Sequence, residues 1–363
     1  MAKAKKKTGT GVPIKEFAEA VVFARAFAAG DKATVDAGAS RSLHFGDGRL
    51  WTRSGSTWIV RSIALPTLTE SFAIPADALA KAVQAVEAQG PETPFTLALD
   101  KSALAWRGGA AKGRIALDTE ATAVSPDVPA TAVPVGGELA AAFARVQFAA
   151  YRGEQWPMLR GVYWGGDGRV MASDGDRLVA VQIDTKCPRP NGVLVPDHLL
   201  RAMKSFPMSH ADVTDNLVIF GNETTTVAGV LLHAEFPHER IASSLEMLSK
   251  AAQAGELTRV DLESAQPVKA LLQAAAASTE APLHAVTVSV RAGGLDVQAG
   301  RGGDEVRVEL HAKVAGVDRQ CRINAQYLTA AVEQGFPLYF GDKCLYTADD
   351  ERRFEHAAMY FAS

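Results

Sequence analysis

The sequence predicts an α+β fold made of three similar domains, each with two helices packed on a mainly antiparallel sheet. Two observations lead to this prediction. Short motifs recur along the chain at intervals of about 120 to 127 residues. In the intervals between these motifs, signals for the start of a helix are followed by stretches in which apolar and polar residues alternate, as is typical of β-strands. Each domain is therefore predicted to contain the same half twice. In each half, one helix is followed by several strands.

The first recurring motif precedes an amphipathic segment. It opens at positions 12, 133 and 260, which are 121 and 127 residues apart. The three copies are Val12–Phe17, Val133–Glu138 and Val260–Ser264. One match of this kind could arise by chance, so the interval needs independent support.

A second motif ends a strand and starts a helix. A β-type residue is followed by Pro or Asn, which favour the start of a helix, and a Leu lies on the first turn. The copies are Ile74–Leu79, Val195–Leu200 and Ile323–Leu328. Their starts lie 62, 62 and 63 residues after the starts of the first motif, so the halves of each domain keep one length.

A third motif predicts hairpins. Asp-Gly and Gly-Gly between apolar alternations favour tight turns, because such turns need a positive φ. The copies are Phe45–Leu50, Gly165–Val170 and Ala292–Leu295. Strand-like stretches such as Trp58–Val60, Phe95–Leu99 and Val286–Val290 fill the intervals. Trp51, Trp58 and Trp106 fall in such patterns and are predicted to lie in the core.

These repeats give the domain boundaries. We expect a disordered basic tail over residues 1–11 and domains over residues 12–130, 131–256 and 257–363. The tail has clustered lysines but no apolar segment after it, so we do not expect a signal peptide. A tail that contacts phosphate and one that only improves solubility are equally compatible with its composition.

Composition excludes several classes of protein. Hydrophobic residues make up 47% and charged residues 22% of the 363 residues, which is typical of a folded chain. Cys187, Cys321 and Cys344 are far apart and the eight histidines lack ligand spacing, so we expect a reducing, cytoplasmic compartment and no metal or other cofactor. No apolar run approaches the roughly 18 residues of a membrane helix. The net charge of −3 argues weakly against a protein wrapped in nucleic acid, although the distribution of charge decides the local field.

Three segments, in this order, resemble motifs of the β sliding clamp of bacterial DNA polymerase III. Residues 171–180 read Met-Ala-Ser-Asp-Gly-Asp-Arg-Leu-Val-Ala and resemble the family's Ala-Thr-Asp-Gly-His-Arg-Leu-Ala. Phe236–Ile241 is similar to its Phe/Tyr-Pro-x-x-Arg segment, and Ile323–Leu328 to its Phe-Asn-x-x-Tyr-Leu segment. The resemblance covers about residues 11–363.

Two departures indicate that the resemblance is to a divergent clamp, encoded by a phage or mobile element. Asp176 stands where the family has His, and Met359–Ser363 stands where it has Met-Pro-Met-Arg-Leu. Both changes affect which partners are expected to bind rather than how the family's chains assemble into a ring.

The resemblance implies a non-enzymatic DNA sliding clamp. Two chains would form a head-to-tail ring around double-stranded DNA and tether the replicative DNA polymerase and other partners through short peptide motifs. The sequence contains no P-loop, so a separate clamp loader would be needed. A clamp-like ring that recruits repair or transposition proteins instead of a polymerase is the alternative. The family's mode of closure would join a strand near Lys112–Leu117 to a helix near Leu271–Ala277. Because Ala274–Ala277 is all alanine, we expect a ring that opens more readily than usual.

The resemblance also places the DNA-facing surface on the repeated helices. Phosphate contacts by Lys and Arg carry no sequence information, so they suit a sliding protein. The basic residues on or beside those helices are Lys15, Arg25, Lys32, Lys81, Arg145, Arg152, Arg201, Lys204 and Lys269. Ordinary solvation of exposed helix faces is the competing interpretation. The last helix, around Asn324–Gln334, carries no Lys or Arg, so weak and salt-sensitive binding is expected.

A partner-peptide groove is carried over from the family by motif. Its predicted lining residues are Leu159, Ser173, Gly175, Asp176, Arg177, Leu178, Pro237, Arg240, Ile241, Met359, Tyr360 and Phe361. The resemblance implies partners that present a short extended peptide with apolar and Gln anchors. Apolar walls take Leu or Phe side chains, and a small number of polar groups fix the orientation. The competing interpretation is that these residues only pack a domain boundary. Asp176 should make the groove disfavour acidic peptides and tolerate basic ones.

Catalysis is the remaining interpretation of the Asp174-Gly175-Asp176 segment. Two carboxylates could hold a metal, but Asp-Gly-Asp is more often a turn with Asx hydrogen bonds and a Gly at positive φ. No third carboxylate or His lies at a supporting spacing. Arg301–Asp304 is likewise predicted to be a turn, because it falls in a hairpin region of the repeat.

Overall fold

The computed structural model describes residues 12–28, 41–54, 56–63, 70–121, 133–203, 206–263, 284–300 and 306–361. The chain divides into two compact units. Unit 1 comprises Met1–Gly137 and His198–Leu231, and unit 2 comprises Glu138–Asp197 and Leu232–Ser363. The predicted middle domain, residues 131–256, thus contributes to both units, and the three boundaries remain a prediction. In the described part of the chain no helix is long and apolar enough to cross a membrane.

One module, a strand followed by a helix and three more strands, recurs along the chain. The first module is β1 (Val12–Pro13), α1 (Ile14–Ala28), β2 (Ser42–Gly46), β3 (Arg49–Ser54) and β4 (Thr57–Ser62). The second is β5 (Phe72–Pro75), α2 (Ala76–Glu87), β6 (Pro94–Asp100), β7 (Ala103–Gly108) and β8 (Ala111–Ala116). The third is β9 (Val133–Pro134), α3 (Gly137–Val146), β10 (Gly161–Trp164), β11 (Arg169–Ser173) and β12 (Arg177–Gln182).

Three further modules follow. The fourth is β13 (Val193–Pro196), α4 (Asp197–Ala202), β14 (His210–Val213), β15 (Leu217–Gly221) and β16 (Thr225–Val230), and α5 (His238–Gln253) comes after it. The fifth is β17 (Thr258–Leu262), β18 (Ala285–Arg291), β19 (Gly294–Ala299) and β20 (Val306–Ala315), with residues 264–283 outside the description. The sixth is β21 (Arg319–Asn324), α6 (Ala325–Val332), β22 (Leu338–Phe340), β23 (Cys344–Ala348) and β24 (Phe354–Met359).

The helix starts predicted by the second motif and the turns predicted by the third are confirmed, whereas the segment after Val260–Ser264 and the Arg301–Asp304 turn lie outside the described residues. α2 begins directly after Pro75, and Asn324 caps α6 by accepting a hydrogen bond from the Gln326 N–H at 2.8 Å. The β2–β3 turn places Asp47 and Gly48 at φ values of 49° and 70°, the conformation that an Asp-Gly turn requires. Local sequence therefore sets these boundaries.

The sheets are antiparallel, and the first strands of paired modules are exchanged. In unit 1, a four-stranded sheet has the order β1-β6-β7-β8 and an eight-stranded sheet has the order β5-β2-β3-β4-β16-β15-β14-β9. Thus β1 pairs with the second module's strands and β5 with the first module's strands. In unit 2, twelve strands have the order β13-β10-β11-β12-β24-β23-β22-β17-β20-β19-β18-β21. The exchange ties the first two modules into one domain-like body.

The last strands of the modules also pair with one another. β4 pairs with β16 inside unit 1, and β12 pairs with β24 inside unit 2. The last strands of the remaining two modules are β8 and β20. β8 is at the edge of its sheet, and the side of β20 opposite β19 has no strand partner over residues 306–310 within the described chain.

Apolar faces of helices and strands form the cores. In unit 1, α1 and α2 pack on the two sheets through a fully buried cluster that includes Ile14, Phe17, Leu43, Leu79 and Phe95. In unit 2, one cluster is built around Tyr163, Phe236, Ile241, Leu245 and Tyr346. Each large side chain contributes about 1.5–3 kcal/mol on burial.

The prediction that three tryptophans lie in the core needs correction. Trp51, Trp58 and Trp106 do lie in strands β3, β4 and β7, but only Trp51 is buried, and Trp106 packs half-buried against the core cluster of unit 1. Trp58 is half-buried and Arg53 lies over its ring at 4.9 Å. An indole on a sheet face can be covered by a neighbouring guanidinium instead of by the core.

Candidate functional site

The β11–β12 hairpin of unit 2 carries the centre of the site. The Asp174 Oδ1 atom accepts hydrogen bonds from the Asp176 and Arg177 N–H groups at 3.2 and 3.0 Å. The Ser173 hydroxyl accepts from the Gly175 N–H at 3.1 Å and donates to the Arg177 carbonyl at 2.9 Å. Gly175 has φ 100°, so the segment is the Asx turn that the sequence predicted.

Arg177 is held on several sides. Its Nε atom lies 2.8 Å from Asp174 Oδ2, and both side chains are only 13–14% exposed. Its guanidinium lies 5.0 Å from the ring centre of Phe148 and 4.6 Å from that of Tyr327, and it also donates to the Phe148 carbonyl. The Tyr327 hydroxyl donates to Asp174 Oδ2 at 3.1 Å. The Asp174 carboxylate is therefore bound by the side chains of Arg177 and Tyr327 in one side-chain network.

His356 lies beneath this network. It is fully buried on β24, and its ring packs edge-on against Phe148 at 5.8 Å. Neither ring nitrogen has a hydrogen-bond partner within the described residues. Burial, followed by the positive charge of Arg177, lowers the pKa of His356 to about 3. The imidazole is therefore neutral at physiological pH.

Asp176 occupies the exposed tip of the hairpin. Its backbone is fixed at both ends, because its N–H bonds Asp174 and its carbonyl accepts the Met359 N–H at 2.7 Å. Within the described residues no cation forms an ion pair with its carboxylate. Partial desolvation, followed by repulsion from Asp174, raises the pKa of Asp176. The negative charge is thus left uncompensated.

The predicted apolar wall forms one cluster. Leu159 and Ile241 are buried together with Phe236, and Leu178 packs against them half-buried. Pro237 precedes α5, and its carbonyl accepts the Ile241 N–H at 3.1 Å. Arg240, on the first turn of α5, is exposed.

The end of the chain continues this surface. Met359 is 49% exposed. The Tyr360 N–H donates to the Lys343 carbonyl at 2.9 Å, and the Phe361 N–H donates to the Arg322 carbonyl at 2.8 Å. Burial, followed by nearby Cys321, raises the pKa of Tyr360, so its hydroxyl stays protonated. Residues 359–361 are therefore held in an extended, hydrogen-bonded path.

Sequence reasoning missed two apolar residues at this site. Trp156 and Met158 are 39% and 37% exposed. A Cβ atom on Gly175 would lie 2.7 Å from Cζ3 of Trp156, so the indole packs directly on the hairpin tip. The centre of the Tyr151 ring lies 5.0 Å from the centre of the Trp156 ring. The signal in the sequence was Trp156-Pro157-Met158, two large apolar residues flanking a loop proline.

The network partners Phe148, Tyr327 and His356 were also missed as site residues. Tyr327 lay within a motif that the sequence analysis quoted, but only its contact with Asp174 explains the motif. Phe148 and His356 had no signal, because single aromatic residues are common in any core.

The predicted DNA-facing residues have different environments. Lys15, Lys81, Arg152 and Arg201 are exposed, whereas Arg25 is half-buried and pairs with Asp77 at 2.9 Å. Lys32, Lys204 and Lys269 lie outside the described residues.

Arg145 is committed to packing inside unit 2. Its guanidinium lies 4.2 Å from the ring centre of Phe354 and 5.5 Å from that of Phe336, and its Nε donates to Gln334 at 3.2 Å. Burial, only partly offset by Asp349, lowers its pKa. This side chain is therefore less available to phosphate than the prediction assumed.

The predicted closure segments can be placed only in part. Lys112–Leu117 corresponds to β8 and the residue after it, at a sheet edge. Leu271–Ala277 and the Arg301–Asp304 turn lie outside the described residues. Within the described chain no group of three or more His, Cys, Asp or Glu side chains is placed to hold a metal ion.

No protein-family model matches the sequence. No curated protein matches it either. Solved structures do match in fold. A DNA polymerase sliding clamp from Pseudomonas aeruginosa superposes with a TM-score of 0.78 at 14% identity, covering 98% of this chain and 100% of that one. The DNA polymerase III β subunit of Thermotoga maritima gives 0.78 at 17% identity with the same coverage.

A third match carries a ligand. The Bartonella birtlesii sliding clamp bound to griselimycin gives a TM-score of 0.80 at 13% identity, again with 98% and 100% coverage. The chain therefore has the fold of the DNA polymerase III β sliding clamps over almost its whole length.

Proposed function

We propose that this protein is a DNA sliding clamp, a non-enzymatic processivity factor that encircles duplex DNA and tethers a replicative polymerase. The observation that carries the proposal is the likeness to sliding clamps over 98% of this chain and 100% of theirs. A partial likeness would be compatible with another role of a shared domain. A likeness that runs through all six modules instead favours the role of the whole clamp.

The strand edges support a ring of two chains. The last strand of one module pairs with the last strand of another in β4–β16 and in β12–β24. Of the strands that end the six modules, β8 and β20 have no such pairing within the described chain, and one lies in each unit. In the proposed ring, β8 of one chain pairs with β20 of the next, and two such contacts close a homodimer around DNA.

The proposed DNA contact is electrostatic and independent of sequence. Lys15, Lys81, Arg152 and Arg201 are exposed and can each neutralise a phosphate. A ring that slides must not hold particular bases, so few and weak phosphate contacts suit the task. Loading would depend on a separate ATP-driven clamp loader, acting in the cytoplasm on the chromosome or a phage genome.

The proposed partner site is the surface of unit 2 around Asp176, Leu178 and Met359. It combines buried apolar support, exposed methionines and a fixed hairpin. Exposed Met side chains repack at low cost and suit several partners. A polymerase and a clamp loader would each present a short peptide here.

The test combines topology and synthesis. Loaded protein should stay on nicked circular DNA and slide off after linearisation, and sedimentation should give a dimer at micromolar concentration. Primer extension by the cognate polymerase should become processive. A monomer at high micromolar concentration would exclude the homodimer. Retention on circles without any effect on synthesis would instead favour the ring that recruits repair or transposition proteins.

The partner surface has its own test. Deleting residues 359–363 should abolish stimulation of the polymerase while leaving the ring intact. The deletion also removes the backbone hydrogen bonds of Met359, Tyr360 and Phe361, so Met359→Ser is the milder companion variant. Processive synthesis at the wild-type level with both variants would show that partners bind elsewhere.

A further inference from the structure

The charges at the tip of the β11–β12 hairpin do not balance. Asp174 is neutralised by Arg177 at 2.8 Å and also accepts the Tyr327 hydroxyl. Asp176 lies two residues further on, and within the described chain its carboxylate is in no ion pair. The tip therefore carries one unit of negative charge. Partial desolvation makes that charge costly until an outside cation approaches.

The surroundings of this charge are apolar and exposed. Trp156 packs on Gly175, and the Met359 N–H bonds the carbonyl of Asp176, so both residues are neighbours of the tip. They are 39% and 49% exposed, and Met158, near Trp156, is 37% exposed. Tryptophan and methionine are enriched at protein interfaces, where a partner covers them.

A basic side chain of a partner would fit both the unpaired charge of Asp176 and its apolar surroundings. Lysine and arginine have an apolar stem that can lie on a tryptophan or methionine and a charged head that can reach a carboxylate. The face of an indole also attracts a cation. A glutamate or aspartate at the same place would meet like charge, and a neutral apolar side chain would leave Asp176 unpaired.

We propose that the peptide which binds this surface carries a lysine or arginine whose stem lies against Trp156 or Met359 and whose charged head pairs with Asp176. The proposal rests on the proposed function, since it names the chemistry of the partner for that same surface. It makes Asp176 the residue that selects among partner peptides.

The test uses labelled synthetic peptides and fluorescence anisotropy on the full chain. The parent probe is a fluorescein-labelled hexapeptide with Gln, Leu and Phe anchors, extended by two residues at each end. Each position outside the anchors is replaced in turn by lysine, by norleucine and by glutamate. Norleucine has a lysine-like stem without charge, so it separates the apolar contact from the ion pair. At one position the lysine peptide should bind about fivefold tighter than the norleucine peptide, as for a partly exposed ion pair, and the glutamate peptide weakest.

Variants assign that preference to one carboxylate. Asp176→Asn should remove the difference between the lysine and norleucine peptides, and Asp176→Lys should make the glutamate peptide the tightest. Asp47→Asn is the matched control, because Asp47 is an exposed hairpin aspartate in unit 1 and should keep the wild-type order.

The outcomes separate the two proposals. Equal binding of lysine, norleucine and glutamate peptides at every position would refute the role of Asp176 while leaving the partner surface in place. A preference for lysine that survives in Asp176→Asn would also refute it. If no peptide binds, including the parent probe, the partner surface itself is refuted.

Discussion

At the scale of single residues, Arg177 determines how the hairpin is held. Its guanidinium joins Asp174, the ring of Tyr327, and the ring and carbonyl of Phe148. A planar group with several donors can satisfy all of these at once, whereas an ammonium cannot. Breaking a buried pair from one side leaves an uncompensated charge, which is what makes such pairs costly to disturb.

We therefore expect Arg177→Met to lower the free energy of unfolding by about 3 kcal/mol, measured by urea denaturation. Arg177→Lys should recover only a small part of that loss. The matched control is Arg169→Met on the adjacent strand, where an exposed pair with Asp167 at 3.6 Å should contribute less than about 1 kcal/mol. Equal effects of the two methionine variants would contradict this account.

A second prediction at the same scale concerns His356 and the free energy of unfolding at acidic pH. Its pKa is lowered to about 3 in the folded protein, against about 6.5 in an unfolded chain. The unfolded state then binds the extra proton, so the contribution is complete above pH 6.5 and is lost as pH falls toward 3. We expect a slope of about 1.4 kcal/mol per pH unit in that window from this residue.

Measuring the free energy of unfolding from pH 7 to pH 4 tests this assignment. His356→Leu should flatten the dependence, because it removes the titrating group. His233→Leu, at an exposed position of the same unit, is the control for the His-to-Leu substitution itself. An unaltered slope in His356→Leu would assign the acid sensitivity to other groups.

At the scale of elements, the hairpin tip depends on a glycine for two separate reasons. Gly175 has φ 100°, and a Cβ there would also meet Trp156 at 2.7 Å. Gly293, in the β18–β19 turn, has nearly the same φ of 97°, but a Cβ there would meet no described atom within 4 Å. The two glycines thus separate backbone strain from the contact with the indole.

We expect Gly293→Ala to cost about 1 kcal/mol, the usual penalty for a side chain at positive φ. Gly175→Ala should cost more and should also shift the tryptophan fluorescence, because the indole must move. The measurements are thermal unfolding and emission spectra of both variants. An unchanged spectrum in Gly175→Ala would show that Trp156 does not rest on the hairpin tip.

Elements are also where the sequence was most informative. Pro75, Asn324 and the Asp47-Gly48 pair act within a few residues of themselves, so local chemistry predicted these two helix starts and this turn correctly. The exchange of β1 and β5 between sheets was not predicted, because strand pairing depends on contacts far apart in the chain. For the same reason the packing of Arg145 against two phenylalanines gave no sequence signal.

At the scale of the whole molecule, the charge of the repeated helices would limit the proposed binding to DNA. α1 and α2 carry exposed Lys15 and Lys81, but also Glu16, Glu19, Asp77 and Glu87. With the half-buried Arg25 included, these two helices carry three basic and four acidic residues. Such a surface attracts phosphate weakly, which is compatible with retention by topology rather than by affinity.

We expect binding to linear duplex to be weak and to fall steeply with salt, with a slope of about −0.9 per phosphate contact. Lys81→Glu combined with Arg201→Glu should reduce that slope and the efficiency of loading without unfolding the protein. Lys250→Glu on α5, outside the repeated modules, is the control for charge reversal. Binding to linear duplex that resists salt or prefers one sequence would contradict a sliding role.

The unlike strand edges have a consequence for assembly. β8 and β20 belong to different modules, so a contact between them is head-to-tail rather than self-matching. Head-to-tail contacts form a closed ring only when the rotation per subunit fits, and otherwise they grow into open helical filaments. A substitution that changes the angle at this edge without weakening it would therefore turn the proposed ring into a fibre-forming protein.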